Sequence, residues 1–203
     1  LIQRSGVERK LFGDLKYILL AGEKIAPYEL KEWYGTLDNR IQLVNIYGPT
    51  ETTLAKGYYL IQPDDADRSY ISLKAIAGAQ FLILDEAMNC SPENAVGEIF
   101  IRTPYRTAGY LDSAMNSKVF LVNPFGNDVN DILYKTGDIG RYHGNGEIEI
   151  LGRADHQVKV RGIRIELDDI KENLLQYPGV RDAVIAVKED IELEKFICAY
   201  IIS

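Results

Sequence analysis

The chain has 203 residues, 46% of them hydrophobic, enough to bury a core and too many for wholesale disorder. Its 30 acidic and 23 basic residues leave a net charge of −7, which argues against a nucleic-acid partner but not against a nucleotide held by a few local groups. Cys90 and Cys198 have neither metal-ligand spacing nor a disulfide framework, and no apolar run could cross a bilayer, so a reduced, cytoplasmic protein without a membrane partner is expected. Leu1 is not an initiator methionine and Ser203 follows a strand-like run, so the chain reads as cut from something longer.

Leu15 to Leu20 is a short apolar run closed by Ala21-Gly22, which predicts a buried strand. Pro27 opens a helix running to about Tyr34, and Ile41 to Ile46 predicts a second strand. Strand, helix, strand implies a parallel sheet, whose ligands sit beyond the carboxyl ends of the strands. Ala21-Gly22 and Asn45–Glu51 then share one rim. From Gly57 the pattern changes to short strands, at Tyr58 to Ile61, Gln80 to Leu84 and Glu98 to Arg102, separated by loops at 85–94 and 123–131. Residues 112–121 predict a short helix.

Glu147 to Leu151 alternates as a strand. Two further strands, His156 to Val160 and Ile163 to Leu167, flank Arg161-Gly162 as a hairpin. Asp168 is placed to cap a helix that Pro178-Gly179 stops, and strands at 180–187 and 196–202 follow. The domain boundary falls near Gly152 to Asp155, giving domains at 1–152 and 153–203. The fold class is α/β: a parallel-sheet portion with a β-rich subdomain, followed by a small α+β subdomain.

The most informative stretch is Asn45-Ile46-Tyr47-Gly48-Pro49-Thr50-Glu51. Tyr47 offers a flat face for a nucleotide base, and Gly48-Pro49 makes a non-helical turn with room for close backbone approach. Thr50 can donate to phosphate, and Glu51 is a hard oxygen ligand suited to magnesium shared with phosphates. Taken alone the stretch also fits an ordinary strand-ending turn. In Tyr134-Lys-Thr-Gly-Asp138 the aspartate follows a Thr-Gly turn and can accept two hydrogen bonds from ribose hydroxyls, or bond its own backbone. Gly97–Leu111 reads mainly as strand and turn punctuation. His143 and His156 read as surface histidines, without metal-ligand spacing. The segment 152–167, with Arg153 and Asp155, fits either a solvated hairpin or a mobile joint.

Taken in chain order, Asn45–Glu51, Gly97–Leu111, Tyr134–Asp138 and Gly152–Leu167 together resemble the adenylation domain of nonribosomal peptide synthetases, in the superfamily that also holds acyl-CoA synthetases and luciferases. The resemblance spans essentially the whole chain but only part of the family's domain: the end of the large subdomain and most of the small one. It implies the adenylate-forming fold, and formation of aminoacyl-AMP from ATP, magnesium and an amino acid. Transfer to the phosphopantetheine thiol of a peptidyl carrier domain would follow. Carried across, Tyr47 would stack on adenine, with Asn45, Ile46 and Gly48 beside the nucleotide; Thr50 would hold phosphate and Glu51 magnesium. Asp138 would bind ribose, Ile150 would lie against the nucleotide, and Arg153 would reach its ribose or phosphate side. Asp155 would be the hinge between the two half-reactions. Ala21, Gly22, Ile46, Leu54 and Ala55 would line part of the amino-acid pocket.

Implied partners are the rest of the adenylation domain, the carrier domain and a small accessory protein. The family's lysine-containing phosphate loop, its α-amino-binding aspartate and its late catalytic lysine have no counterpart within 1–203, so this polypeptide alone should adenylate poorly. The rival readings are a non-catalytic adenylation-like module and an acyl-CoA ligase, against which Pro49 counts. All of this requires Glu51 and Asp138 to face one crevice.

Overall fold

The structure is a computed structural model and describes residues 13–37, 40–155, 157–160, 163–190 and 195–203. The chain divides into two compact units, residues 1–152 and 153–203.

In the first unit, β1 (Tyr17–Ala21) and β2 (Gln42–Tyr47) are parallel, with Leu20 opposite Asn45 and Ala21 opposite Ile46. Both strands therefore end on one rim, as expected of a strand–helix–strand unit. The crossover is a 3-10 turn, Pro27–Glu29, running into α1 (Leu30–Thr36). Proline occupies the first position of that turn, where its missing N–H costs nothing. Antiparallel β3 (Gly57–Leu60) and β4 (Lys74–Ala75) extend the sheet.

One face of this sheet packs on α1 through Leu30, Leu37, Ile41, Leu43, Ile61 and Ile71. Leu30 and Leu43 are fully buried, each worth on the order of 2 kcal/mol. The opposite face carries Tyr17, Leu19, Tyr58 and Leu60, which are 58%, 62%, 43% and 44% exposed.

A second sheet has the order β5 (Gln80–Leu84), β6 (Gly97–Arg102), β8 (Ile132–Tyr142), β7 (Phe120–Val122), with β9 (Ile148–Arg153) paired to β8. Its core includes Phe81, Ile83, Ile99, Ile101 and Ile148. α2 (Ser113–Val119) begins at Asp112, whose carboxylate accepts from the Ala114 N–H.

Four elements differ from the sequence-based expectation. β1, expected to be buried, has no fully buried residue, because one of its faces, at Tyr17 and Leu19, is exposed. Residues 134–138 lie inside the eleven-residue strand β8 rather than in a turn. The local signal was real, because Gly137 has φ +75°, but it belongs to a β-bulge: Glu98 pairs with Ile139 and Phe100 with Lys135. The helix expected over 112–121 stops at Val119, and Phe120–Val122 is a strand, because it pairs with β8 residues ten to fourteen positions away. Asp168 does not cap the last helix; the N-cap is Glu166, without a side-chain bond, and Asp168 and Asp169 sit in the first turn.

The second unit contains the antiparallel pair β10 (Gln157–Val160) and β11 (Ile163–Glu166), with Val160 opposite Ile163. Arg161-Gly162, the expected hairpin turn, and His156 lie outside the described residues. Helix α3 (Leu167–Leu175) packs on β12 (Asp182–Glu189), which pairs antiparallel with β13 (Lys195–Ile202). Among the described residues, no helix is long and apolar enough to cross a membrane.

Candidate functional site

The turn after β2 is held from several sides. Pro49 opens a short 3-10 turn, Thr50–Thr52, and the chain then passes through two consecutive left-handed residues, Thr53 (φ 58°) and Leu54 (φ 67°). Such conformations persist in non-glycine residues only where surrounding contacts impose them. Those contacts are present. Lys56 N–H donates to the Tyr47 carbonyl at 2.8 Å, closing the turn. The Lys56 ammonium, in a residue only 4% exposed, lies 3.3 Å from the Ala55 carbonyl and 3.5 Å from that of Thr53. Burial holds the Lys56 pKa below its ordinary value.

Gly48 is required here by space. A Cβ on it would sit 1.9 Å from the Leu54 carbonyl oxygen. The close approach the sequence pointed to is therefore made by the chain's own backbone.

Two tyrosine–carboxylate pairs tie this turn to the rest of the unit. The Tyr47 hydroxyl donates to Asp138 Oδ2, joining positions 91 residues apart. Burial, then the Asp138 charge and this bond, push the Tyr47 pKa well above its ordinary value. The bulge in β8 aims Asp138: Thr136 Oγ1 donates to the Ile99 carbonyl at 2.6 Å, and Asp138 N–H donates to Thr136 Oγ1 at 2.9 Å. Tyr47 also packs beside Phe81, with ring centroids 5.9 Å apart. Tyr47 and Ile150 border the same apolar cluster. Glu51 is buried, and its Oε1 accepts from the Tyr110 hydroxyl. Thr107 N–H donates to the Glu51 carbonyl at 2.9 Å.

The expected residues of the first unit thus gather in part. Asn45, Ile46, Tyr47, Gly48, Thr50 and Glu51 share the end of β2 and its turn, Ala21 and Gly22 close the neighbouring strand, and Asp138 and Ile150 join through Tyr47 and its apolar cluster. Leu54 is 69% exposed on the turn, and Ala55 follows it. A surface cleft of about 580 Å³, lined by Arg102, Arg106, Asp131 and their neighbours, includes neither Glu51 nor Asp138. Lys56 was not singled out from sequence, and Tyr110, within Gly97–Leu111, was read only as strand and turn punctuation; the available signals were a tyrosine after Gly109 and a lysine between Ala55 and Gly57.

In the second unit Arg153 is engaged locally. Its Nε donates to Asp155 Oδ1 at 2.7 Å and its Nη2 to Oδ2 at 2.6 Å. Burial raises the Asp155 pKa, but the Arg153 hydrogen bonds and charge outweigh it and hold the carboxyl below its usual range. His143, expected at the surface, is largely buried: it stacks on Tyr70 at 4.4 Å and its Nε2 lies 2.9 Å from Glu149 Oε2.

Among the described residues, no group of three or more His, Cys, Asp or Glu could hold a metal. The Glu51 carboxylate and the Thr50 hydroxyl, on the same 3-10 turn, are hard oxygen donors of the type that suits magnesium, which is commonly held by one or two carboxylates plus substrate phosphates.

The AMP-binding enzyme family matches residues 2–111. The chain is 36% identical over 198 residues to a dimodular nonribosomal peptide synthase of Bacillus subtilis (strain 168), covering 93% of this chain and 8% of that protein. It is 36% identical over 190 residues to bacitracin synthase 1 of Bacillus licheniformis, covering 93% and 4%. It spans only a small part of either relative. Among solved structures, PA1221, described as an NRPS protein containing adenylation and PCP domains, superposes with a TM-score of 0.84 at 28% identity, over 98% of this chain and 40% of that one. The architecture is that of the adenylate-forming fold, and the chain belongs to the AMP-binding enzyme family.

Proposed function

We propose that residues 1–152 are the end of the large subdomain, and 153–203 most of the small one, of an amino-acid-activating adenylation domain. In the intact domain the amino-acid carboxylate attacks the α-phosphorus of ATP, pyrophosphate leaves, and the aminoacyl group passes to the phosphopantetheine thiol of a carrier domain. The protein forms no covalent bond in the first step, so its work is positioning and charge stabilisation. Tyr47 supports the adenine, with Asn45, Ile46 and Gly48 at the strand end. Asp138 accepts from ribose hydroxyls and Ile150 lies against the nucleotide. Thr50 donates to phosphate, and Glu51 holds magnesium, which would neutralise phosphate charge there. Ala21, Gly22, Ile46, Leu54 and Ala55 line part of the amino-acid pocket. Arg153 serves the nucleotide in one arrangement of the small subdomain, and Asp155 is the hinge.

The observation that carries this reading is the Tyr47–Asp138 hydrogen bond, which joins the two motifs assigned to the nucleotide across 91 residues of sequence. The exposed apolar face of the first sheet, with Leu19 62% exposed, fits packing by the rest of the domain. The reaction is assigned to the cytoplasm, and a small accessory protein is a further expected partner. Residues 1–203 alone are expected to adenylate poorly, since the phosphate loop and late lysine of the family lie outside them.

Amino-acid-dependent exchange of labelled pyrophosphate into ATP by the intact domain tests the reading. Exchange with a subset of amino acids is expected. Exchange with fatty acids alone would select an acyl-CoA ligase, and no exchange with any substrate would leave a binding module.

A further inference from the structure

Tyr110 has no part in the reading above, yet its side chain ends on the carboxylate assigned to magnesium. We infer that Tyr110 is a positioning residue for Glu51: its hydroxyl fixes one carboxylate oxygen so that the group is presented to the metal in one orientation. The inference rests on Glu51 being the magnesium ligand.

The geometry behind Tyr110 is built for a fixed hydroxyl. Gly109 has φ +109°, a backbone conformation that favours glycine, and a Cβ there would lie 2.6 Å from Asn116 Oδ1 and push that amide aside. Asn116, on α2, then takes both backbone groups of Tyr110. Its Oδ1 accepts the Tyr110 N–H at 2.6 Å, and its Nδ2 donates to the Tyr110 carbonyl at 2.9 Å. The Tyr110 ring packs beside Phe120, with centroids 6.3 Å apart. From this clamp the hydroxyl donates to Glu51 Oε1.

Glu51 is tied down a second time through its backbone, because its carbonyl accepts the Thr107 N–H at 2.9 Å. One loop, 107–110, therefore holds both ends of the same residue. A hydroxyl donor to a buried carboxylate oxygen fixes the direction in which the group points.

The test uses the intact domain carrying Tyr110→Phe, which keeps the ring and removes only the hydroxyl, with Asn116→Ala as a second variant that loosens the clamp. The primary readout is the Mn2+ dissociation constant in the presence of a non-hydrolysable ATP analogue, read from the electron paramagnetic resonance signal of free Mn2+. Loss of a hydrogen bond to a charged group predicts about tenfold weaker binding for Tyr110→Phe. A smaller weakening is expected for Asn116→Ala. The metal concentration for half-maximal pyrophosphate exchange should rise in parallel, and saturating metal should restore the rate.

Glu51→Gln is the control that separates the two readings. If Glu51→Gln leaves Mn2+ affinity unchanged, the magnesium assignment fails and the inference with it. If Glu51→Gln weakens the metal and Tyr110→Phe does not, the metal site stands and the positioning role is overturned. Equal loss of thermal stability and of metal affinity that excess metal does not rescue would also overturn it, leaving Tyr110 a structural contact.

Discussion

The turn at 47–56 and the segment at 153–155 both carry residues assigned to the nucleotide, but they are held in opposite ways. In the turn, the side-chain constraints on the assigned residues are long-range: Tyr47 reaches Asp138 and Glu51 reaches Tyr110, 91 and 59 residues away. In the other segment the pairing is between residues two apart, and the Asp155 side chain is 48% exposed. Long-range buried contacts form only with the complete fold and fix one geometry, whereas a local ion pair with a half-exposed partner can be remade more cheaply. The difference is the one expected between a preorganised binding edge and a joint.

The largest effect should come from Gly48→Ala. Its Cβ would meet the Leu54 carbonyl oxygen at 1.9 Å, so the turn must open, at a cost of about 3 kcal/mol or more. Gly152→Ala, where nothing lies within 4 Å of the added carbon, should stay within about 0.5 kcal/mol. Denaturant unfolding of the two variants breaks the comparison if they lose similar stability.

Tyr47→Phe comes next. It keeps the aromatic plate and removes the bond to Asp138, and about 2 kcal/mol of stability should go with it. Unchanged stability would mean that Asp138 is held by other means.

Asp155→Asn should cost at most about 1 kcal/mol, reduced further by salt, because the Asp155 side chain is half exposed. The pH dependence sharpens this. The folded Asp155 pKa lies below its ordinary 3.8, so its contribution is present at neutral pH and is lost as pH falls from that value through the lowered one. The variant should flatten that acid limb, and an unaltered limb would remove Asp155 from it.

What could be read from sequence followed the range of the forces involved. β1, β2, β5 and β6 were legible because their apolar runs are bounded by glycine and turn residues. The rim was legible because strand–helix–strand order dictates a parallel pair, which the pairing of Ala21 with Ile46 bears out. β8 was not, because Thr136-Gly137 has the local chemistry of a turn and only pairing with β6 converts it to a bulge. Tyr110 was opaque for the same reason: nothing near it in sequence announces that its hydroxyl ends on Glu51.

Whether Asp138 and the Tyr47 turn form one nucleotide edge is tested most directly by the ATP dissociation constant of the intact domain with Asp138→Ala, measured by titration calorimetry beside wild type. Loss of two hydrogen bonds from ribose hydroxyls to a charged acceptor predicts weakening of about 2–4 kcal/mol, with the fold retained. A well-folded variant that binds ATP as tightly as wild type would contradict the assignment.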